Sequence, residues 1–167
     1  LRIGGERYAE VNGSYGTTTL RVEHVTVQGN EVRFDFPGKS GQEWHTLIED
    51  PDLVAALVPM LARPNPDTAL AYEGQDGNWH SISASSLNGF LREVTGGDFT
   101  AKDFRTWQAT VVAAMHLARA FPLASTKADK RKAVASTAKK VADHLGNTPS
   151  IARKSYIDPR VVDRFFD

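Results

Sequence analysis

Tyr156 closes the run Asn147-Thr148-Pro149-Ser150-Ile151-Ala152-Arg153-Lys154-Ser155-Tyr156, and three cations lie upstream: Arg105 in Phe104-Arg105-Thr106, Lys39 in Pro37-Gly38-Lys39-Ser40-Gly41, and Arg2. A phenol with two guanidiniums and an ammonium can attack a phosphodiester. As the phenol oxygen adds to phosphorus, negative charge collects on the non-bridging oxygens, and arginine forks match those oxygens bidentately. A nucleotide-binding phosphate loop is not supported. Gly38-Lys39-Ser40 matches the end of that motif, but Arg33 stands where its first glycine is needed and the turn joins two strands. The chain has no cysteine, which excludes disulfides, thiolate metal sites and a thiol nucleophile. His24, His45, His80 and His116 show no metal-ligand spacing, so no metal is assigned to them.

The elements that must position these residues can be read from periodicity. Thr18–Val25, 31–36 and 43–47 are rich in β-formers, with Gly29-Asn30 and 37–41 as turns, and predict a small antiparallel sheet. Helices are predicted over 51–62, 85–94, 101–120 and 127–145, with Gly146 as a C-cap and Pro59 bending or ending the first. In 85–94, Leu87, Phe90, Leu91 and Val94 share one face. Residues 63–67 and 74–78 read as loops, and Val161, Val162, Phe165 and Phe166 as a short amphipathic helix docked on the core. His144 falls in the last turn of the fourth helix as a surface or cap residue, and Trp107 follows Arg105 closely enough to position it. The expected fold class is α+β: one domain over 1–167, with a sheet portion to about residue 48 and a mainly helical portion from 51.

The 167 residues are 41% hydrophobic and 24% charged, a composition that supports a packed core. The sequence has no apolar run of bilayer-spanning length, so a soluble, cytoplasmic protein is expected. Zero net charge hides an asymmetry. Residues 1–101 hold 7 Lys+Arg against 14 Asp+Glu, a net −7, while residues 102–164 hold 13 against 5, a net +8. A basic half of this kind is what a surface meeting nucleic-acid phosphates requires.

The motifs together resemble those of type IB DNA topoisomerases, most nearly the small bacterial and poxvirus-like forms, over essentially the whole chain. Leu1-Arg2-Ile3-Gly4-Gly5-Glu6-Arg7-Tyr8 resembles the segment with the family's first catalytic arginine, and Gly16–Val25 the strand that follows. Phe34-Asp35-Phe36-Pro37-Gly38-Lys39 is similar to the hairpin that carries the catalytic lysine, and Thr100–Trp107 to the segment with the second arginine. The run from Gly146 to Tyr156 is similar to the terminal signature that ends in the nucleophile.

The resemblance implies a catalytic set of Arg2, Lys39, Arg105, Asn147 and Tyr156. Asn147 departs from the pattern, since many members have histidine there; its amide still donates to a phosphate oxygen but cannot be cationic. The implied reaction is relaxation of duplex DNA without ATP, metal or another cofactor, by a monomer in the bacterial nucleoid, through a 3′-phosphotyrosyl intermediate. The resemblance also implies that this is the catalytic domain without the family's N-terminal clamp. Two alternatives stand beside it. Tyrosine recombinases share the chemistry, but they typically carry His-x-x-Arg where this chain has Lys102-Asp103-Phe104-Arg105. A DNA-binding module without turnover would keep the fold and the basic half.

Overall fold

Strand alternation builds the first core. In Glu31–Pro37 (β2), Val32, Phe34 and Phe36 are buried while Glu31 and Arg33 are exposed, the two-residue period of a strand with one face on a core. Val25–Gln28 (β1) and Glu43–Glu49 (β3) flank it in an antiparallel sheet of order β1-β2-β3. Gly29 and Asn30 connect the paired residues Gln28 and Glu31, and Gly29 takes the positive φ of 60° that this tight hairpin needs. These elements come from a computed structural model that describes residues 2–167; Leu1, at the head of the Arg2 segment, lies outside them.

The strand expected over 18–25 is replaced by two single turns of 3₁₀ helix, Thr17–Thr19 and Val22–His24, and extended pairing begins only at Val25. The cause is local. The Gly16 amide donates to Thr19 Oγ1 at 3.0 Å, and the Thr17 and Thr18 hydroxyls bond earlier carbonyls, so side chains take backbone partners that a ladder would use. Glu6–Asn12 forms a helix (α1) that periodicity did not reveal.

Pro51–Ala62 (α2) starts where expected. The Asp50 carboxylate caps it, accepting from the Asp52 and Leu53 amides at 2.9 and 3.1 Å. Pro59 does not end the helix, which runs on for three residues. A proline removes one N–H, here the partner of the Ala55 carbonyl, and Leu57, Leu53, Val54 and Met60 seated in the core hold the helix across that gap. At its end the buried Arg63 guanidinium donates to the carbonyls of Met60 and Thr68 and lies 5.9 Å from the Trp79 ring centroid. Residues 74–78 do form a loop, but it joins an unanticipated hairpin of Ala71–Glu73 (β4) and Trp79–Ser81 (β5). Ala84–Thr95 (α3) follows, with Phe90 and Val94 of its expected apolar face exposed.

Residues up to Val94 form one compact unit and Thr95–Asp167 a second. The second is helical: Ala101–Ala120 (α4), Lys127–Leu145 (α5), Pro149–Ser155 (α6) and Pro159–Phe166 (α7). Capping boxes start the two long helices. Asp103 accepts from the Thr100 amide and hydroxyl at 2.9 and 2.6 Å, and Asp129 does the same for Thr126 at 3.1 and 2.6 Å. Gly146, left-handed at φ 61°, ends α5 as expected. The core is built largely of small residues: Ala109 and Ala113 of α4, Val141, Ala142 and Leu145 of α5, Ala152 of α6, and Ile157. The short last helix docks as expected, with Phe165 buried beside Leu117, Ala124 and Val134.

Leu57 is 1% exposed and Val58, its neighbour on α2, is 49% exposed. Leu57→Ala is expected to cost about 2–5 kcal/mol and Val58→Ala within about 0.5 kcal/mol. Urea unfolding midpoints of the two variants check this; equal losses would contradict the assigned core.

Candidate active site

Hydrogen bonds fix the main chain at both cations of the first unit. The Arg2 carbonyl accepts from the Thr17 amide at 2.7 Å and the Thr17 hydroxyl at 3.0 Å, and the Ile3 carbonyl accepts from the Thr18 amide and hydroxyl, both at 2.7 Å. Gly16 makes this clasp possible by close approach. A Cβ there would lie 2.5 Å from the Gly4 nitrogen and 2.7 Å from the Arg2 oxygen, atoms that cannot step aside. One residue earlier, the Tyr15 amide donates to the Pro37 carbonyl at 2.9 Å, so the strip that clasps Arg2 also grips the base of the Lys39 turn.

Lys39 stands at the start of a single helical turn, Lys39–Gly41, between β2 and β3. The Gly38 amide donates to the Gln42 carbonyl at 2.8 Å, and the Trp44 indole lies so close that a Cβ on residue 38 would sit 2.4 Å from its Cδ1. The lysine side chain is exposed, with Nζ 5.6 Å from the centroid of the Tyr8 ring. An ammonium at that distance is attracted to the ring face, which gives the exposed side chain a partner.

The second unit brings Arg105 and Tyr156 together. Arg105, in the second turn of α4, is half-buried and donates from Nη2 to the Leu145 carbonyl at 2.8 Å; its Cζ lies 5.5 Å from the centroid of the Tyr156 ring. Tyr156 is half-buried against the cluster containing Ala109 and Ile157, and its amide donates to the Ala152 carbonyl at 3.1 Å, ending α6. Asn147 lies two residues beyond Leu145, its amide bonded to the Ala142 carbonyl at 2.9 Å as the chain leaves α5, and Thr148 then caps α6. The acids nearest in sequence are engaged elsewhere. Hydrogen bonds from Thr100 lower the pKa of Asp103, and those from Arg160 hold Asp158 down to about 2, so both are ionised at neutral pH and tied to helix starts.

Trp107 is 72% exposed, and the Arg105 guanidinium is anchored at the Leu145 carbonyl. His144 lies exposed in the last turn of α5, as expected. The unit from Thr95 carries 13 Lys+Arg and 7 Asp+Glu, net +6, with Lys127, Arg131, Lys132, Lys139, Lys140, Arg153 and Lys154 exposed. Among the described residues no three histidine or acidic side chains cluster as metal ligands would, and no helix is long and apolar enough to cross a membrane. Sequence reasoning missed the Gly16–Thr18 clasp and the Tyr8 and Trp44 supports of Lys39. The adjacent hydroxyls after a glycine were the one usable signal, since such residues bond local backbone in turns.

Gly16→Ala is expected to open the clasp while leaving the sheet intact. Losing one backbone bond of about 1 kcal/mol or more should raise amide exchange at Thr17 and Thr18 about tenfold, with the β2 and β3 amides still protected. Hydrogen-exchange mass spectrometry checks it; unchanged exchange at both threonines would contradict the close-approach reading.

Comparison with known proteins extends this geometry. The family model for the eukaryotic DNA topoisomerase I catalytic core matches residues 1–164. DNA topoisomerase 1B of Acanthamoeba polyphaga mimivirus is 32% identical over 163 residues, covering 94% of this chain and 48% of the viral protein. DNA topoisomerase 1 of Schizosaccharomyces pombe is 32% identical over 132 residues, which is 78% of this chain and 15% of the yeast protein. DNA topoisomerase 1 of rabbit fibroma virus is 21% identical over 164 residues, 98% of this chain and 49% of its own length. The chain thus spans about half the length of these viral relatives and less of the yeast one. With the match running from the Arg2 segment past Tyr156, the chain belongs to the DNA topoisomerase I catalytic-core family.

Proposed function

We propose that this chain is the catalytic portion of a type IB DNA topoisomerase, relaxing supercoiled duplex DNA by transient cleavage of one strand. The observation that carries the reading is the Arg105 guanidinium 5.5 Å from the Tyr156 ring, in a unit of net positive charge within a chain of this family. The Tyr156 phenol gives up its proton to water as its oxygen attacks a backbone phosphorus, the bond from phosphorus to the 5′ oxygen breaks, and the 3′ side of the strand is left on the tyrosine. Lys39 gives the departing 5′ oxygen a proton and recovers it when that hydroxyl reattacks. Arg2 and Arg105 neutralise the charge that gathers on the non-bridging oxygens in the transition state, and Asn147 adds a neutral amide donor.

The phosphotyrosyl bond conserves the free energy of the phosphodiester, so the cycle closes without a nucleotide. The exposed lysines of α5, with Arg153 and Lys154 beside the tyrosine, supply the sequence-independent grip on phosphates. A chain that carries all five assigned groups can act as a monomer, and a cysteine-free one is compatible with DNA in a reducing bacterial cytoplasm.

Negatively supercoiled plasmid incubated with the chain, a chelator and no nucleotide is expected to relax. Tyr156→Phe should abolish relaxation, and Arg105→Ala should slow it about a hundred- to a thousandfold, as loss of a transition-state donor does elsewhere. Gel electrophoresis of time points reads both; relaxation by Tyr156→Phe at the parent rate would overturn the assignment.

A further inference from the structure

The Thr110 hydroxyl holds the chain on both sides of Ile157. It accepts from the Asp158 amide at 3.1 Å and lies 3.2 Å from the Tyr156 carbonyl and 2.9 Å from the Thr106 carbonyl, so its single proton is shared between those two oxygens. A mid-helix threonine often turns its hydroxyl back on the i−4 carbonyl, and such a bond alone would mean nothing. Here the same oxygen also receives a peptide N–H from a segment 48 residues away in sequence.

That segment has few other anchors of this kind. Tyr156 has left the helical region, at φ −130° and ψ −29°, and the Tyr156 and Ile157 amides share one acceptor, the Ala152 carbonyl, at 3.1 and 3.0 Å. The buried Ile157 side chain fixes the depth of the strip, and the Ile157 amide holds one edge of the Tyr156–Ile157 peptide; the opposite edge of that peptide and the amide of the next are left to Thr110. The Thr110 hydroxyl completes the hold on the first peptide through the Tyr156 carbonyl and fixes the rotation of the second through the Asp158 amide.

We infer that Thr110 is a positioning residue for the tyrosine nucleophile, acting with Arg105 from the same helix; the inference rests on the reading of Tyr156 given above. Five residues of α-helix, about 7.5 Å of rise, separate the two. Arg105 faces the phenol ring and Thr110 holds the main chain that carries it. Helix α4 thus sets where the ring can stand relative to the guanidinium. Reacting atoms must approach within about 3–3.5 Å in line, so a misplacement of about 1 Å lowers a rate about a hundredfold.

The test measures covalent adduct formation by the full 167-residue chain in excess over end-labelled duplex DNA, quenched with detergent over time, for Thr110→Val, Thr110→Ser and Tyr156→Phe. Thr110→Val is expected to slow adduct formation about ten- to a hundredfold with unchanged noncovalent affinity for the same duplex, and Thr110→Ser, which keeps the hydroxyl, to restore the parent rate. Should Thr110→Val fail to fold by circular dichroism, Thr110→Ala replaces it; should both fail, the serine variant alone decides. Parent-rate adduct formation by the valine or alanine variant, with Tyr156→Phe inert, would overturn the role of Thr110 and leave the nucleophile assignment standing. A serine variant as slow as valine would show that the methyl group, not the hydroxyl, matters, and would also overturn it. Adduct formation by Tyr156→Phe, or none by the parent chain, would instead overturn the reading of the site on which the inference depends.

Discussion

The hydrogen bond from Arg105 Nη2 to the Leu145 carbonyl is the constraint around which the second unit is arranged. The last carbonyls of a helix have no partner within it and carry the negative end of its dipole. An arginine placed there satisfies an orphan acceptor and meets a favourable field at once. This fixes the guanidinium where α5 ends, and the chain then turns at Gly146, passes Asn147 and enters the helix that leads to Tyr156. One contact therefore locates the cation relative to the start of the segment that carries the phenol.

Such a contact needs helices that approach closely, and the buried positions supply it. Ala109 and Ala113 on α4 face Val141 and Ala142 on α5, with Ala152 on α6 beside them, all nearly without exposure. Alanines lose no side-chain rotamer freedom on burial and let backbones pack near one another, which shortens the reach asked of Arg105. The first unit reaches the same end by different means. There the absence of a side chain at Gly16 and Gly38 lets backbone meet backbone and an indole close on a turn, so that Arg2 and Lys39 are carried on fixed main chain.

How much of this was legible depended on whether the signal was local. Helices α2, α4 and α5 were legible within their observed bounds, α5 with Gly146 as its C-cap, because helical spacing and capping are chemistry among near neighbours; the N-caps Asp50, Thr100 and Thr126 emerged only in the structure. The run 18–25 misled over most of its length because threonine and valine favour strands while threonine hydroxyls also bond turns, and tertiary partners at Arg2 and Ile3 decided between them. The β4–β5 hairpin was too short to show a period. At the site, Arg105 and Tyr156 were readable as residue types in familiar surroundings. The supports were not: a hydroxyl on α4 that bonds the chain beyond α6 leaves no trace in spacing, and neither does the bond from Arg105 to the carbonyl that ends α5.

The central claim is that Tyr156 takes the 3′ side of a broken strand. Detergent-trapped protein–DNA adduct, digested with nuclease and trypsin, can be read directly by tandem mass spectrometry. The account predicts a nucleotide joined through its 3′ phosphate to Tyr156 within the tryptic peptide Ser155–Arg160, with a free 5′ hydroxyl on the released strand. A nucleotide on any other side chain, or one joined through a 5′ phosphate, would contradict it.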